Sequence, residues 1–289
     1  MVNKVILGTV QFGLDYGVNN INGIPSDAGI SEILDLAFEK GIRYLDTAEA
    51  YGDSQNRIGK YHRTSSNKFN VITKFSSKER SLPNDIEQRI ISNLNILNIQ
   101  SLYCYMYHSF KDFELYFGLH QKSLLRLKSK GKIKKIGVSV YSNKELEKVL
   151  DFKDIDLIQL PFNLLDNNQL RSDALCKAKI MGVEIHSRSV FLQGLFFKSI
   201  SDISSNLYKL SPYLDKINQL KIKWNLTTEE IALKYVLNKS YIDNVLIGVD
   251  SPTQLLSNLS AICRDSLIPH EEIDNILVLE QELLSPVNW

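Results

Sequence analysis

Eight β-prone runs, at 5–10, 43–48, 70–75, 102–107, 133–140, 156–162, 183–190 and 244–249, alternate with helical stretches along the chain. Most runs are almost continuous in apolar or β-branched residues, the pattern of strands covered on both faces. Between them, Ile30, Ile33, Leu34, Ala37 and Phe38 make an apolar stripe at helical spacing, and Gly41 stands where that helix should stop. Ile86, Ile90, Leu94 and Leu97 make another behind the start signal Pro83-Asn84-Asp85. Leu146, Val149 and Leu150 continue the pattern after the fifth run. Ile231, Tyr235 and Val236 follow Thr227-Thr228-Glu229-Glu230, which has the form of a capping box. Alternation repeated in this way, without a linker or low-complexity segment, predicts an α/β fold: a (β/α)8 TIM barrel occupying residues 1–289 as a single domain. The competing doubly wound sheet usually carries GxGxxG after its first strand, and Gly8-Thr9-Val10-Gln11-Phe12-Gly13 lacks that spacing. The longest gap lies between the seventh and eighth runs, so a loop-and-helix insertion is expected at about 191–225. A C-terminal helical extension is expected at about 269–284.

Composition excludes several classes. With 44% hydrophobic and 23% charged residues, the chain can bury a full core without disulfides or a metal. A net charge of +1 gives no argument for nucleic acid or an anionic membrane as partner. The basic stretch Lys122, Arg126, Lys128, Lys130, Lys132, Lys134 and Lys135 carries no interleaved aromatics, so it reads as a solvated helix face running into a strand. Cys104, Cys176 and Cys263 show neither CxxC nor Cys/His spacing; reduced, buried thiols and no metal site are expected. The first residues lack the apolar core of a signal peptide, and no apolar run has membrane-spanning length, so a cytoplasmic location is expected. No heptad or apolar edge announces an oligomer.

In such a barrel, polar residues at strand C-terminal ends face the functional rim. The second run ends in Asp46-Thr47-Ala48 with Tyr51-Gly52 just beyond, the third in Thr73-Lys74, and the fourth in Tyr107-His108. Taken singly, Asp46 could cap a turn, Lys74 could lie on the surface and His108 could be structural. Together they suit carbonyl reduction, in which a nascent alkoxide needs a proton and electrostatic stabilisation. Tyr51 would donate the proton, Lys74 would ease its release, Asp46 would pair Lys74, and His108 would orient the carbonyl. His62, His120, His186 and His270 show no partner in the sequence and are given no role. The aromatics Phe12, Tyr16, Phe110 and Phe191 fall in expected loops around the pocket, with Phe12, Tyr16 and Phe110 as candidate substrate contacts.

From Gly8 to about Asn258 the sequence resembles the aldo-keto reductase family. Asp46 to Gly52 looks like its D-T-A-x-x-Y-G segment, and Thr73-Lys74 and Tyr107-His108 match the positions of its lysine and histidine. The resemblance implies a barrel that reduces aldehydes and ketones with NADPH or NADH, and Asp46, Tyr51, Lys74 and His108 as its catalytic set. For the cofactor it implies Gly8 and Thr9, then Ser139 (with Val140 in place of the usual asparagine) and Gln159. It also implies Arg188, Ser189, Val190, Phe191 and Gln193 after the seventh run, and Gly248, Gln254 and Asn258 at the adenosine end. Arg188 replaces an aromatic that stacks on the nicotinamide; a cation there disfavours NAD+ relative to NADH. No Lys or Arg lies between Gly248 and Asn258, and Asp250 would repel a 2′-phosphate, which leaves the choice of nucleotide open. The Val140 and Arg188 departures also keep a second class in view, a nucleotide-binding regulatory protein with little turnover. A third is a lyase or aldolase using Lys74 as a Schiff base.

Overall fold

Each β-prone run supplies one strand of a closed, all-parallel barrel in the order β1-β2-β3-β4-β5-β6-β7-β8, completed by the pairing of β1 with β8. In this computed structural model, residues 1–18, 20 and 23–289 are described, apart from the side chain of Val287. The elements run β1 (Val5–Gly8), α1 (Asp27–Glu39), β2 (Tyr44–Asp46), α2 (Ser54–Thr64), β3 (Asn70–Phe75), α3 (Ile86–Leu97), β4 (Leu102–Tyr107), α4 (Phe110–Ser129) and β5 (Ile133–Ser139). They continue α5 (Asn143–Leu150), β6 (Leu157–Pro161), α6 (Asn168–Ile180), β7 (Glu184–Arg188), α7 (Ser211–Lys223), α8 (Thr228–Leu237), β8 (Asn244–Gly248), α9 (Pro252–Cys263) and α10 (His270–Asp274).

Local chemistry sets the helix ends. Ser26 caps α1 by accepting from Gly29 N, and Gly41, with φ +90°, ends the turn beyond it in a conformation that a side chain would strain. Asp85 caps α3. Thr227 and Glu230 form the expected reciprocal capping box on α8, and Ser142 and Glu145 form a second on α5.

Strand pleating divides the core in two. Val5 and Leu7 of β1 join the large cluster between strands and helices. Ile6 joins a small inner cluster with Ile72, Cys104, Met106, Leu157 and Leu246. A polar group adjoins the inner cluster: Glu184 accepts from Tyr103 OH at 2.9 Å and from Lys135, and His186 Nε2 lies 2.5 Å from it. Desolvation opposes ionisation of Glu184, but these partners outweigh it and hold the carboxyl at about 2. Lys135 is therefore not part of a solvated face, and Lys128, paired with Asp156 at 2.6 Å, is also only partly exposed; Lys135 turns inward because it continues the β5 alternation that also carries Gly137 and Ser139.

Two further expectations change. Cys104 is buried, but Cys176 and Cys263 are exposed, because they fall on the outer sides of α6 and α9. The C-terminal extension is mostly irregular, with α10 followed by short 3-10 turns at Gln281–Leu284 and Pro286–Asn288. The insertion after β7 consists of 3-10 turns leading into α7. Among the described residues, no helix is long and apolar enough to cross a membrane.

Candidate active site

The C-terminal rim of the barrel holds a cavity of about 910 Å³, at the upper end of the usual range for small-molecule sites (~300–1,000 Å³). Asp46, Tyr51 and His108 all line it. Lys74 lies behind that wall, 1% exposed, and donates to an Asp46 oxygen and to Thr47 O at 2.9 Å. The second Asp46 oxygen accepts from Gln159 Nε2 at 2.8 Å, so one carboxylate ties β2 to β3 and β6 inside the barrel. Lys74 Nζ sits 5.1 Å from the centre of the Tyr51 ring, and the His108 ring meets that ring edge-on at 5.4 Å. The four residues that the sequence singled out therefore converge on one point. A lysine so bonded does not reach the cavity, which removes the geometric basis for a Schiff base.

The electrostatics refine the expected division of labour. Burial raises Tyr51 above an ordinary tyrosine, the Asp46 carboxylate adds to this, and the Arg188 guanidinium opposes it. Burial lowers Lys74 below the usual lysine value and the Asp46 carboxylate only partly opposes this, while Arg188 is the cation that most favours the phenolate. Burial, then Lys74 and Arg188, push His108 down to about 3, so its imidazole is neutral at physiological pH.

The loop that carries Tyr51 is anchored from below by Glu49. Its Oε2 accepts from Arg89 Nε at 2.9 Å, Arg89 Nη2 at 2.6 Å and Ser76 N at 3.1 Å; its Oε1 accepts from Asn93 Nδ2 and Tyr105 OH, each at 2.8 Å. This buried hub joins the β2–α2 loop to α3, β4 and the end of β3. Gly13 packs onto the same loop so closely that a Cβ there would lie 1.9 Å from Tyr51 O.

Every residue assigned above to the cofactor lines the cavity: Gly8, Thr9, Ser139, Gln159, Arg188, Ser189, Val190, Phe191, Gln193, Gly248, Gln254 and Asn258. The segment after β7 is held in strained backbone, with Ser189, Leu192 and Gln193 at φ +57°, +47° and +55°. Gln193 also clasps the β1 loop, accepting Val18 N at 3.0 Å through its backbone and donating to Tyr16 OH at 2.8 Å. The expected stacking surface is already partly taken: the Arg188 guanidinium lies 4.0 Å over the Tyr141 ring. Of the candidate substrate contacts, Tyr16 lines the cavity. Phe12 and Phe110 do not; Phe12 is wholly buried and Phe110 opens α4, where it packs against the core. Tyr141, Gln11, Glu229 and Ser257 line the cavity without having been foreseen. Tyr141 directly follows the Gly137-Val138-Ser139 run and was within reach of the motif. Glu229 comes from an outer helix and carries no such signal.

The cavity walls fit a polar, extended ligand. Gln11 Oε1 and Asp250 Oδ1 are buried there without a hydrogen-bond partner among the described residues. At Gly248, a Cβ would lie 2.6 Å from the Gln11 amide nitrogen, so a side chain there would have to displace the Gln11 amide. Among the described residues, no group of His, Cys, Asp or Glu is arranged to hold a metal.

Comparison with known proteins points the same way. The Aldo/keto reductase family profile matches residues 4–278. The chain is 24% identical over 308 residues to the NADH-specific methylglyoxal reductase of Escherichia coli (strain K12), covering 90% of this chain and 94% of that protein. Two solved structures share its fold. One is an aldo-keto reductase from Bacillus halodurans in its holo form, with a TM-score of 0.75, 19% identity, and coverage of 96% of this chain and 94% of that one. The other is a glycerol dehydrogenase from Gluconobacter oxydans, with a TM-score of 0.73, 22% identity, and coverage of 94% and 90%.

Proposed function

Since the chain belongs to the aldo/keto reductase family and is an oxidoreductase of that class, we propose that it reduces an aldehyde or ketone with NADH or NADPH, Tyr51 acting as the proton donor. The observation that carries this reading is that the Tyr51 and His108 rings, 5.4 Å apart, line one cavity with the Lys74 ammonium behind its wall, 5.1 Å from the Tyr51 ring. A reduced nicotinamide bound beside them supplies the hydride. The chain supplies the rest. Neutral His108 donates an N–H to the carbonyl oxygen and fixes its direction. Tyr51 keeps its proton until negative charge develops on that oxygen, then releases it. Lys74, held by Asp46, keeps a cation beside the phenol as the proton leaves. Arg188 acts from the other wall in the same sense. Ser139 and Gln159 lie where a carboxamide would be gripped, and Gly248 and Gln11 border the path of the dinucleotide. Tyr16, Tyr141, Phe191 and Phe197 give the cavity an aromatic lining, which suits a small carbonyl compound.

Loss of NAD(P)H absorbance on a panel of aldehydes, ketones and sugars tests the reading. Turnover that stays at background across the panel, with nucleotide still bound, would assign the chain to the regulatory class instead.

The pH dependence follows from the two shifts. Tyr51 lies above the ordinary tyrosine value, so it remains protonated, and competent as a donor, through the neutral range. His108 gains a proton only near pH 3, so it stays neutral there too. Carbonyl reduction should therefore be nearly level from about pH 5 to about pH 8, without the step near 6.5 that an ordinary histidine gives. The reverse oxidation needs the phenolate and should climb as pH rises. A reduction profile that falls through an inflection near pH 6.5 contradicts the assignment of His108.

A further inference from the structure

We infer that Glu229 and Asp250 make this chain select NADH over NADPH. The inference rests on the reading that the cavity binds a nicotinamide dinucleotide, and it concerns the end remote from the chemistry. The nicotinamide must lie beside Tyr51 and His108 for hydride to reach the carbonyl. The remainder of an extended dinucleotide is then led along the rest of the wall, of which the β8 end, α8 and α9 build one part, beside the segments after β1 and β7.

The charges on that wall are carboxylates. Glu229, in the first turn of α8, lines the cavity, and its Oε1 accepts from Ser257 Oγ of α9 at 3.1 Å. Asp250, just after β8, also lines it and presents a buried Oδ1 without a hydrogen-bond partner among the described residues. The one Lys or Arg among the described lining residues is Arg188, which is stacked on Tyr141 and acts on Tyr51 and His108. A ribose diol offers O–H donors, which is what two carboxylates and an orphaned oxygen need. A 2′-phosphate offers only acceptors and negative charge. It would meet repulsion from both carboxylates; Lys221 lies near enough to act on Glu229 but does not line the cavity, so it offsets that charge only in part. The N-terminus of α9 pulls the other way, but its Gln254 N–H is already taken by Ser251 Oγ at 3.3 Å, and the axial dipole of one helix is weaker than two full charges.

The test is a fluorescence titration of the purified protein with NADH and NADPH, in the wild type and in Glu229→Gln, Asp250→Asn and the double variant. Thermal melts would verify that each is folded. These near-isosteric changes remove charge and keep shape. The wild type should bind NADPH at least about tenfold more weakly than NADH, equivalent to roughly 1.4 kcal/mol. Each single variant should tighten NADPH severalfold and the double variant should bring the two nucleotides close to parity. Raising the salt should narrow the wild-type gap, because its origin is charge repulsion. Equal affinity for the two nucleotides in the wild type, or a ratio that the variants leave unmoved, overturns the role of Glu229 and Asp250 while leaving the nucleotide site intact. Failure of the folded protein to bind either nucleotide overturns the oxidoreductase site and this inference together.

Discussion

Replacing Tyr51 with Phe should lower carbonyl turnover by roughly 10²–10⁴-fold, the usual contribution of a positioned general acid. The substitution removes only the hydroxyl. The ring keeps its contacts with Lys74 and His108, at 5.1 Å and 5.4 Å. Nucleotide affinity and melting temperature should therefore stay near wild type, and the loss should fall on kcat more than on KM. Steady-state kinetics on a responsive carbonyl, with a parallel nucleotide titration, reads all three quantities. Turnover within about threefold of wild type would be far outside the range for a lost general acid and would remove Tyr51 from the chemistry.

Truncating Arg89 to Ala should cost roughly 3–5 kcal/mol of stability, because it strips the cation from a carboxylate that remains buried. The side chains of the pair are 4% and 0% exposed, and Arg89 also donates to Ser76 O at 2.8 Å and Glu79 O at 3.0 Å. Its guanidinium covers the Phe75 ring at 4.7 Å, so packing is lost as well. A melting temperature lower by on the order of 10 °C is expected for a chain of this size. Because Glu49 lies two positions before Tyr51, the surviving folded fraction should also be slow. Denaturant unfolding of Arg89→Ala and Glu49→Gln would give the numbers. A loss below about 1 kcal/mol in Arg89→Ala would show that solvent or another group compensates Glu49.

The barrel was legible because its strands are buried on both faces, which makes them apolar from end to end and hard to confuse with half-exposed ones. The same property blurred their C-terminal ends. Val10, Val140, Val190 and Val249 continue the apolar run, yet the ladder stops before each of them. Val140, Val190 and Val249 are buried all the same, while Val10 lines the cavity. The polar residues at those ends could be placed from the sequence because the strand index fixes which rim they join. Features assembled from distant segments could not. The Glu49–Arg89 pair joins residues 40 positions apart, and both look like ordinary surface charges in one dimension. Glu229 reaches the cavity from outside the barrel wall, where no strand-end rule applies. Phe12 and Phe110 were misread for the opposite reason: a large aromatic near a loop is usually drawn into the core by its own apolar area.

Pairing of β1 with β8 has a consequence for how the molecule is made. The strands that seal the cylinder are Val5–Gly8 and Asn244–Gly248, the first and the last strand in chain order. Until the last strand leaves the ribosome, β1 and β7 both present unpaired backbone edges, and Gly8 and Gly248 have not yet been brought face to face. A nascent chain of this kind holds its tyrosine, lysine and histidine early but leaves the barrel open, and prone to sticking to its neighbours, until β8 has been made.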